Sequence, residues 1–480
     1  MQWMMWKHHF SPVDTSNALA WLTIPAYCVI PRNDCINQLP NELLTKIFAH
    51  VLHSESSSPK DRFCRQISRR ISSGSSPTTP IMLTHVSRFW RATMHDTPTL
   101  WSTISVVCPE FKDVECVSFL LKMTGNCPLT LDLEQYMTPD PVSLEIAQLF
   151  VSEAHRWKNI TLTLFGYVQD AFSGMRPGDV KSLESYRVHV HSWDSSRVEQ
   201  LFQVLHSSPV LHAVDWGKSL DGELREDVPW SRLSEITLHR VVDLSQSVLT
   251  ALSNCESLKT LRMRRIRRPY DPISSPVTLT NLTRLICDRP DNFEMVFNSF
   301  TLPALCELEI TDRKPLSPAD VKAFTDFIDR SGCVITTLSI DGCSMSILPL
   351  ISAYLTKITT LNVLSNITDD FRYLMKDSEQ VDILPNLRHL ILHNCCAADG
   401  TLADVVWSRR NELLAVQVCM ESDKAPRDDM TLGWLKQDGV LVSIYKPVAA
   451  YSTFYFVANN KIPGSKVVSM VHIPDADELW

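Results

Sequence analysis

The sequence predicts an α/β fold: a curved parallel sheet with helices on its convex side, preceded by a small helical module. Three observations carry this expectation. An apolar-x-x-apolar-x-apolar pattern recurs in steps of 22 to 30 residues from Trp157 to Leu413. The stretches between its copies carry helical spacing and helix caps. Two amphipathic helical stretches, at 36–52 and 81–106, come before the array.

Composition narrows the function classes. The chain has 480 residues, 46 basic and 54 acidic, for a net charge of −8. A mildly acidic chain lacks the basic footprint of a general nucleic-acid binder, so no nucleic-acid partner is expected. Glycine, at 13 of 480, is too scarce for Gly-rich phosphate loops. No GxGxxG, Walker-type, GxSxG or HExxH motif occurs. No nucleophile, base and orienter assemble from motifs, so no catalytic residue is assigned and the chain is not expected to be an enzyme. The 14 cysteines include no CxxC pair, and zinc-site spacing is absent. His8-His9 lacks further ligands at usable spacing. Neither metal nor cofactor is therefore expected. Scattered thiols point to a reducing compartment, cytoplasmic or nuclear. The apolar run 18–30 is broken by Pro25 and is shorter than the ~20 residues of a membrane helix, so no membrane association is expected.

The first amphipathic stretch is INQLPNELLTKIFAHVL. Leu43, Leu44, Ile47, Phe48, Val51 and Leu52 form one wide apolar stripe, and Pro40 suits a first helical turn. Residues 54–79 are Ser-rich, a composition that cannot support a core. In the second stretch Met82, Leu83, Val86, Trp90 and Met94 follow helical spacing, and Pro98 stops the helix. Helices this short cannot bury their faces alone.

LPNELLTKIF followed by LTHVSRFWRATMHDTPTLW resembles an F-box. The matching pieces are Leu39-Pro40, Glu42-Leu43-Leu44, Ile47-Phe48, Val86, Arg88, Trp90-Arg91 and Pro98, Leu100, Trp101. The Ser-rich insertion falls where that family has its short middle helix. The resemblance implies docking on a Skp-type adaptor and, through it, a cullin-RING ubiquitin ligase. It implies that Leu39, Pro40, Leu43, Ile47, Leu83, Val86 and Trp90 are shared between module core and adaptor face.

The copies of the repeated pattern start at Trp157, Leu183, Leu211, Leu233, Leu258, Leu282, Leu305, Ile335, Ile358, Leu387 and Leu413. Any one copy arises easily by chance; the regular spacing is the signal. It fits the period of leucine-rich repeats. Cys343, Asn366 and Cys395 fall where that consensus favours Cys or Asn. NCPLTLDL at 126–133 reads as an irregular first strand, and 430–445 as a last helix and strand split by Gly439. The clearest helix is LSPADVKAFTDFIDRSG. Ser317 is its N-cap, Pro318 and Asp320 lie in its first turn, and Gly332 is its stop. Residues 194–206 and 243–256 read the same way.

The expected organisation is an N-terminal extension (1–35), the module with its insertion (36–106), the solenoid (107–446) and a tail (447–480) containing a strand-like STFYFV. The combination resembles F-box proteins with C-terminal leucine-rich repeats, a pattern common among fungal F-box families. It implies the substrate-recognition subunit of a ubiquitin ligase, with an unknown target protein on the concave strands. A ligase-independent scaffold is the other reading. LRMRRIRR at 261–268 is the candidate target contact. Leu261 and Met263 point inward, so Arg262 faces out and Arg264 extends the strand. Three readings stay open there: a solvated charged edge, a basic localisation signal, or a site for an acidic or phosphorylated motif. Asp288, Glu307, Glu309 and Asp341 on neighbouring copies are placed to neutralise the cluster.

Overall fold

The computed structural model describes residues 36, 39–53, 80–135, 140–216, 227–239, 244–267, 275–290, 292–312, 316–342, 348–364, 369–376, 382–395, 397–420 and 425–445. The N-terminal extension, the insertion 54–79, Arg268, Cys343, Asn366 and the tail lie outside these residues. So do the side chains of Asp341 and Cys395.

Among the described residues, fourteen strands form one sheet in strict sequence order. They are β1 (Thr103–Val107), β2 (Leu129–Glu134), β3 (Trp157–Phe165), β4 (Ser185–His191), β5 (Ala213–Trp216), β6 (Glu235–Leu238) and β7 (Thr260–Arg264). After a two-residue strand β8 (Val277–Thr278) come β9 (Arg284–Asp288), the short β10 (Phe300–Thr301) and β11 (Glu307–Asp312). The series ends with β12 (Thr337–Gly342), β13 (Thr360–Val363), β14 (His389–Cys395), β15 (Ala415–Met420) and β16 (Leu441–Tyr445). Neighbouring strands pair in parallel throughout. A parallel sheet in sequence order, stepping at the repeat period, is a solenoid of the leucine-rich-repeat type.

All eleven repeat copies become strands. In ten of them the strand opens two residues after the first apolar position; in the eleventh it opens at Trp157 itself. The strand expected at 126–133 forms as Leu129–Glu134 but is the second of the sheet rather than the first, and the helix and strand at 430–445 also form, with Gly439 at φ 93° between them. Alternation explains the layers. In β4 every second residue is buried, and in β7 Leu261 and Met263 are fully buried while Arg262 and Arg264 stand on the other, open face.

The helix Pro318–Ser331 forms as its sequence dictates. The Ser317 hydroxyl accepts a hydrogen bond from the Asp320 amide, the Asp320 carboxylate accepts from the Ser317 amide, and Gly332 closes the end in the left-handed region at φ 59°. Phe324 and Phe327 bury fully. The other two expected helices span Ser195–His206 and Gln246–Ser253. The simple alternation of strand and α-helix is corrected elsewhere. Several crossings use 3₁₀ segments instead, at Gly166–Phe172, Trp230–Arg232 and Asp369–Leu374. The crossing after β7 contains β8, which pairs with β10 in a second small sheet. A short crossover spans the strand-to-strand distance in fewer residues as a 3₁₀ turn, which rises more per residue than an α-helix.

The N-terminal module has helices α1 (Asn41–His53), α2 (Pro80–Thr84) and α3 (Arg88–His95), then a 3₁₀ turn Pro98–Trp101. The single helix expected across 82–94 is two. Ser87, in extended conformation, caps α3: its hydroxyl accepts from the Trp90 amide at 3.1 Å. The Thr84 hydroxyl donates to the Ile81 carbonyl, and Arg91 Nε donates to the Thr84 carbonyl at 3.0 Å. These side-chain bonds offer the backbone partners that compete with a continuous helix.

The module is not a separate body. Leu44, Phe48, Leu83, Met94, Leu100 and Trp101 belong to the same apolar cluster as the strands, which runs on to Val440. Residues 103–106, read from sequence as the end of the module, are the first strand of the sheet. Trp101 is the joint. It is buried, donates from Nε1 to the Met94 carbonyl at 2.7 Å and meets Phe119 edge-on at 6.1 Å.

Candidate functional site

Two surfaces carry the residues singled out by sequence. The first is the module. Its core closes with Leu44, Phe48 and Met94. The Phe48 and Trp90 rings meet at a tilt of 58° with centroids 4.7 Å apart, and Thr93 of α3 and Thr97 just after it bridge to α1 through Asn41 and Thr45. With that core complete, Leu43, Ile47, Met82 and Val86 remain 39–58% exposed. Leu43 and Ile47 lie one turn apart on α1, so they share a face. Pro40 is exposed and Leu39 half-buried beside them. Leu83 is buried and belongs to the core, and Trp90 is half-buried against Phe48. The seven residues thus sort into exposed (Pro40, Leu43, Ile47, Val86), intermediate (Leu39, Trp90) and core (Leu83). Met82 is a large exposed side chain that sequence analysis counted only as part of the stripe.

The second surface is the open face of the sheet. In-register pairing places Arg187, Asp215, Thr237, Arg262, Ile286, Glu309 and Ser339 in one row across β4 to β12. Arg262 stands in that row as expected. Burial pulls its guanidinium below the usual value, while the Glu309 charge opposes that. Arg264 is not free: its Nε meets the Asp288 carboxylate at 2.9 Å. Arg284 likewise pairs with Glu307 at 3.4 Å and Glu309 at 3.6 Å. Within the cluster, Arg264 is neutralised from a neighbouring strand, by Asp288. Arg262 itself makes no ion pair among the described residues.

Sequence reasoning missed a third constellation on the same face. Asp215, buried at 6% exposure in β5, sits between two histidines. His239 Nε2 lies 2.5 Å from its Oδ1, and His189 Nε2 lies 4.0 Å from the same oxygen. Arg187 Nε donates to Oδ2 at 2.5 Å. The two imidazoles meet edge-on with centroids 5.0 Å apart. Burial alone would raise the Asp215 carboxyl, but the hydrogen bond to His239 and the Arg187 charge outweigh it and hold the group below the usual range. Burial, then the neighbouring His239, push His189 down to about 4. His189 is therefore a neutral imidazole at neutral pH. The signal was present but not local. The three positions are 215 − 189 = 26 and 239 − 215 = 24 residues apart, one repeat each.

The described cysteines are free thiols. Burial pushes Cys255 up to about 12, which suits small apolar core residues rather than reactive ones. Among the described residues no helix is long and apolar enough to cross a membrane.

No protein-family model matches the chain, and no curated protein does. Among solved structures, one titled as the crystal structure of a TLR13–ssRNA13 complex aligns at 15% identity and a TM-score of 0.34. The match covers 64% of this chain and 40% of that one.

Proposed function

We propose that this protein is the substrate-recognition subunit of a cullin-RING ubiquitin ligase. The α1–α3 module would dock a Skp-type adaptor, and the open face of the sheet would hold the target. One observation carries the reading beyond the F-box resemblance. The module leaves four large apolar side chains in solvent after its own core is complete. Exposed apolar groups on a short helix are what helix-in-groove docking uses. Free thiols and the absence of a membrane-crossing helix among the described residues fit a cytosolic or nuclear place of work.

In this role the chain performs no chemistry. It raises the effective concentration of a target lysine near the ubiquitin-loaded enzyme. Arg262, with its row neighbours, is the first contact to test.

A ligase-independent scaffold is the second reading, favoured by the core that module and sheet share. Adaptor binding separates the two. Leu43→Ala with Ile47→Ala removes exposed groups only, so adaptor pull-down is expected to fail while the melting temperature stays within a degree or two. Leu44→Ala, in contrast, empties a fully buried site and should cost about 2–5 kcal/mol. Adaptor capture that survives the Leu43/Ile47 double variant would move the protein to the scaffold reading.

A further inference from the structure

We infer that His189, Asp215 and His239 form a binding site for a divalent transition metal of the zinc class, on the open face between β4 and β6. The three side chains come from three adjacent strands. Asp215 pairs in register with Arg187 and Thr237; His189 lies two residues beyond Arg187 along β4, and His239 two residues beyond Thr237, just past the end of β6. Parallel strands in register place positions offset by two on the same face. Both imidazoles therefore rise beside the carboxylate, and the three ligand atoms lie within 4.8 Å of one another.

The chemistry of the donors fits one metal class. Two imidazole nitrogens and one carboxylate oxygen suit zinc, cobalt, nickel or copper, whereas calcium and magnesium require all-oxygen sets. Tetrahedral zinc holds its ligands about 2.0–2.2 Å from the ion, which puts them roughly 3.3 Å apart. His189 at 4.0 Å must move in by less than 1 Å, His239 at 2.5 Å must move out by about as much, and the imidazole nitrogens, within 4.8 Å of each other, must close by at most about 1.5 Å. Rotations of χ1 and χ2 within one rotamer well cover such distances. Three protein ligands leave a fourth position towards the open face for water or for a side chain of a docked partner.

Arg187 defines the carboxylate's role. Its guanidinium takes Oδ2, which leaves Oδ1 facing both Nε2 atoms and fixes Asp215 as a one-oxygen ligand. Its charge also repels a cation, so the site is tuned to moderate affinity. The competing reading is an ion-paired network that ties three strands together and binds nothing.

The test uses the purified full-length chain and Co(II), whose visible absorption reports four-coordinate binding, followed by displacement with Zn(II). One cobalt per chain is expected, with an upward thermal shift on adding zinc. His189→Ala and His239→Gln should each weaken that binding by at least about tenfold, since losing even an orienting partner costs 10–100-fold. Arg187→Gln should strengthen it by removing the repelling charge. Circular dichroism of each variant reports whether the fold survives. If a variant fails to fold, the stoichiometry and spectrum of the unaltered chain still decide. No saturable cobalt binding by that chain would overturn the site. So would binding of equal strength in the folded histidine variants, which would place the metal on other ligands.

Discussion

Arg409 shows how a charge is held inside an apolar solenoid. Its side chain is fully buried, yet each nitrogen has an acceptor. Nε donates to the Leu374 carbonyl at 2.5 Å, Nη1 to the Leu384 carbonyl at 2.9 Å and Nη2 to the Asp382 carboxylate at 2.5 Å. The planar fork fits three fixed acceptors, which an ammonium could not do. Arg409→Ala would strip Asp382 of its buried cation and the Leu374 carbonyl of its donor, leaving Asp382 the Leu384 amide and the more distant Lys376 ammonium. A loss of about 3–5 kcal/mol is expected, read from the midpoint of urea unfolding. Gly166 is a second residue with a defined cost. A Cβ there would sit 2.3 Å from the Ser192 carbonyl oxygen, on backbone that cannot swing away. Gly166→Ala should therefore destabilise the exit of β3 by about 1–3 kcal/mol, measured the same way. Neither residue could be singled out from sequence, because each derives its role from chain 25 or more residues away.

At the scale of elements, the break between α2 and α3 has the clearest consequence. Helical spacing runs unbroken from Met82 to Met94, so periodicity alone reads one helix. Ser87 and Thr84 override it through local hydrogen bonds. The turn they create places Val86 outside both helices and leaves it exposed. Ser87→Ala removes the cap and should cost about 0.5–2 kcal/mol. If Val86 contacts the adaptor, the same variant should also weaken adaptor binding, since the turn that presents Val86 is loosened. Isothermal titration alongside thermal melting separates the two effects. The helix Pro318–Ser331 is the opposite case: its caps, Pro and Gly all agreed with its period, and it formed with the expected boundaries.

The whole molecule is a one-dimensional stack in which each repeat touches its neighbours. Charge on the open face must be judged across several strands rather than along one. LRMRRIRR looks like a cluster of free arginines, but β9 and β11 bring Asp288 and Glu309 alongside it. Arg264→Glu would set a carboxylate against Asp288, and Arg262→Glu would set one near Glu309, so Arg262→Gln, which removes the charge without adding a like one, is the cleaner test. Once a target is captured by affinity purification with ligase turnover blocked, Arg262→Gln is expected to reduce capture severalfold if the target motif is acidic. The effect should shrink as salt rises to about 0.5 M, because exposed charge is screened beyond a Debye length of a few ångströms there. Capture that ignores both changes would return Arg262 to a solvated edge.

The repeat period, the strand positions, the helix Pro318–Ser331 and the apolar stripes of the module are all legible in the amino-acid order. These depend on local alternation and local caps, which act over one or two turns of chain. Three outcomes came from packing instead, as the folded chain determined each. It decided which stripe residues are spent on the core, as Leu44 is, and which stay exposed, as Leu43 is. It decided that Arg264 is paired, with Asp288 on the next strand of the sheet. And it decided that His189, Asp215 and His239 meet. Each of these outcomes depends on which strand or helix lies alongside. A stack of parallel strands brings together residues one repeat apart, a distance over which no local pattern is written.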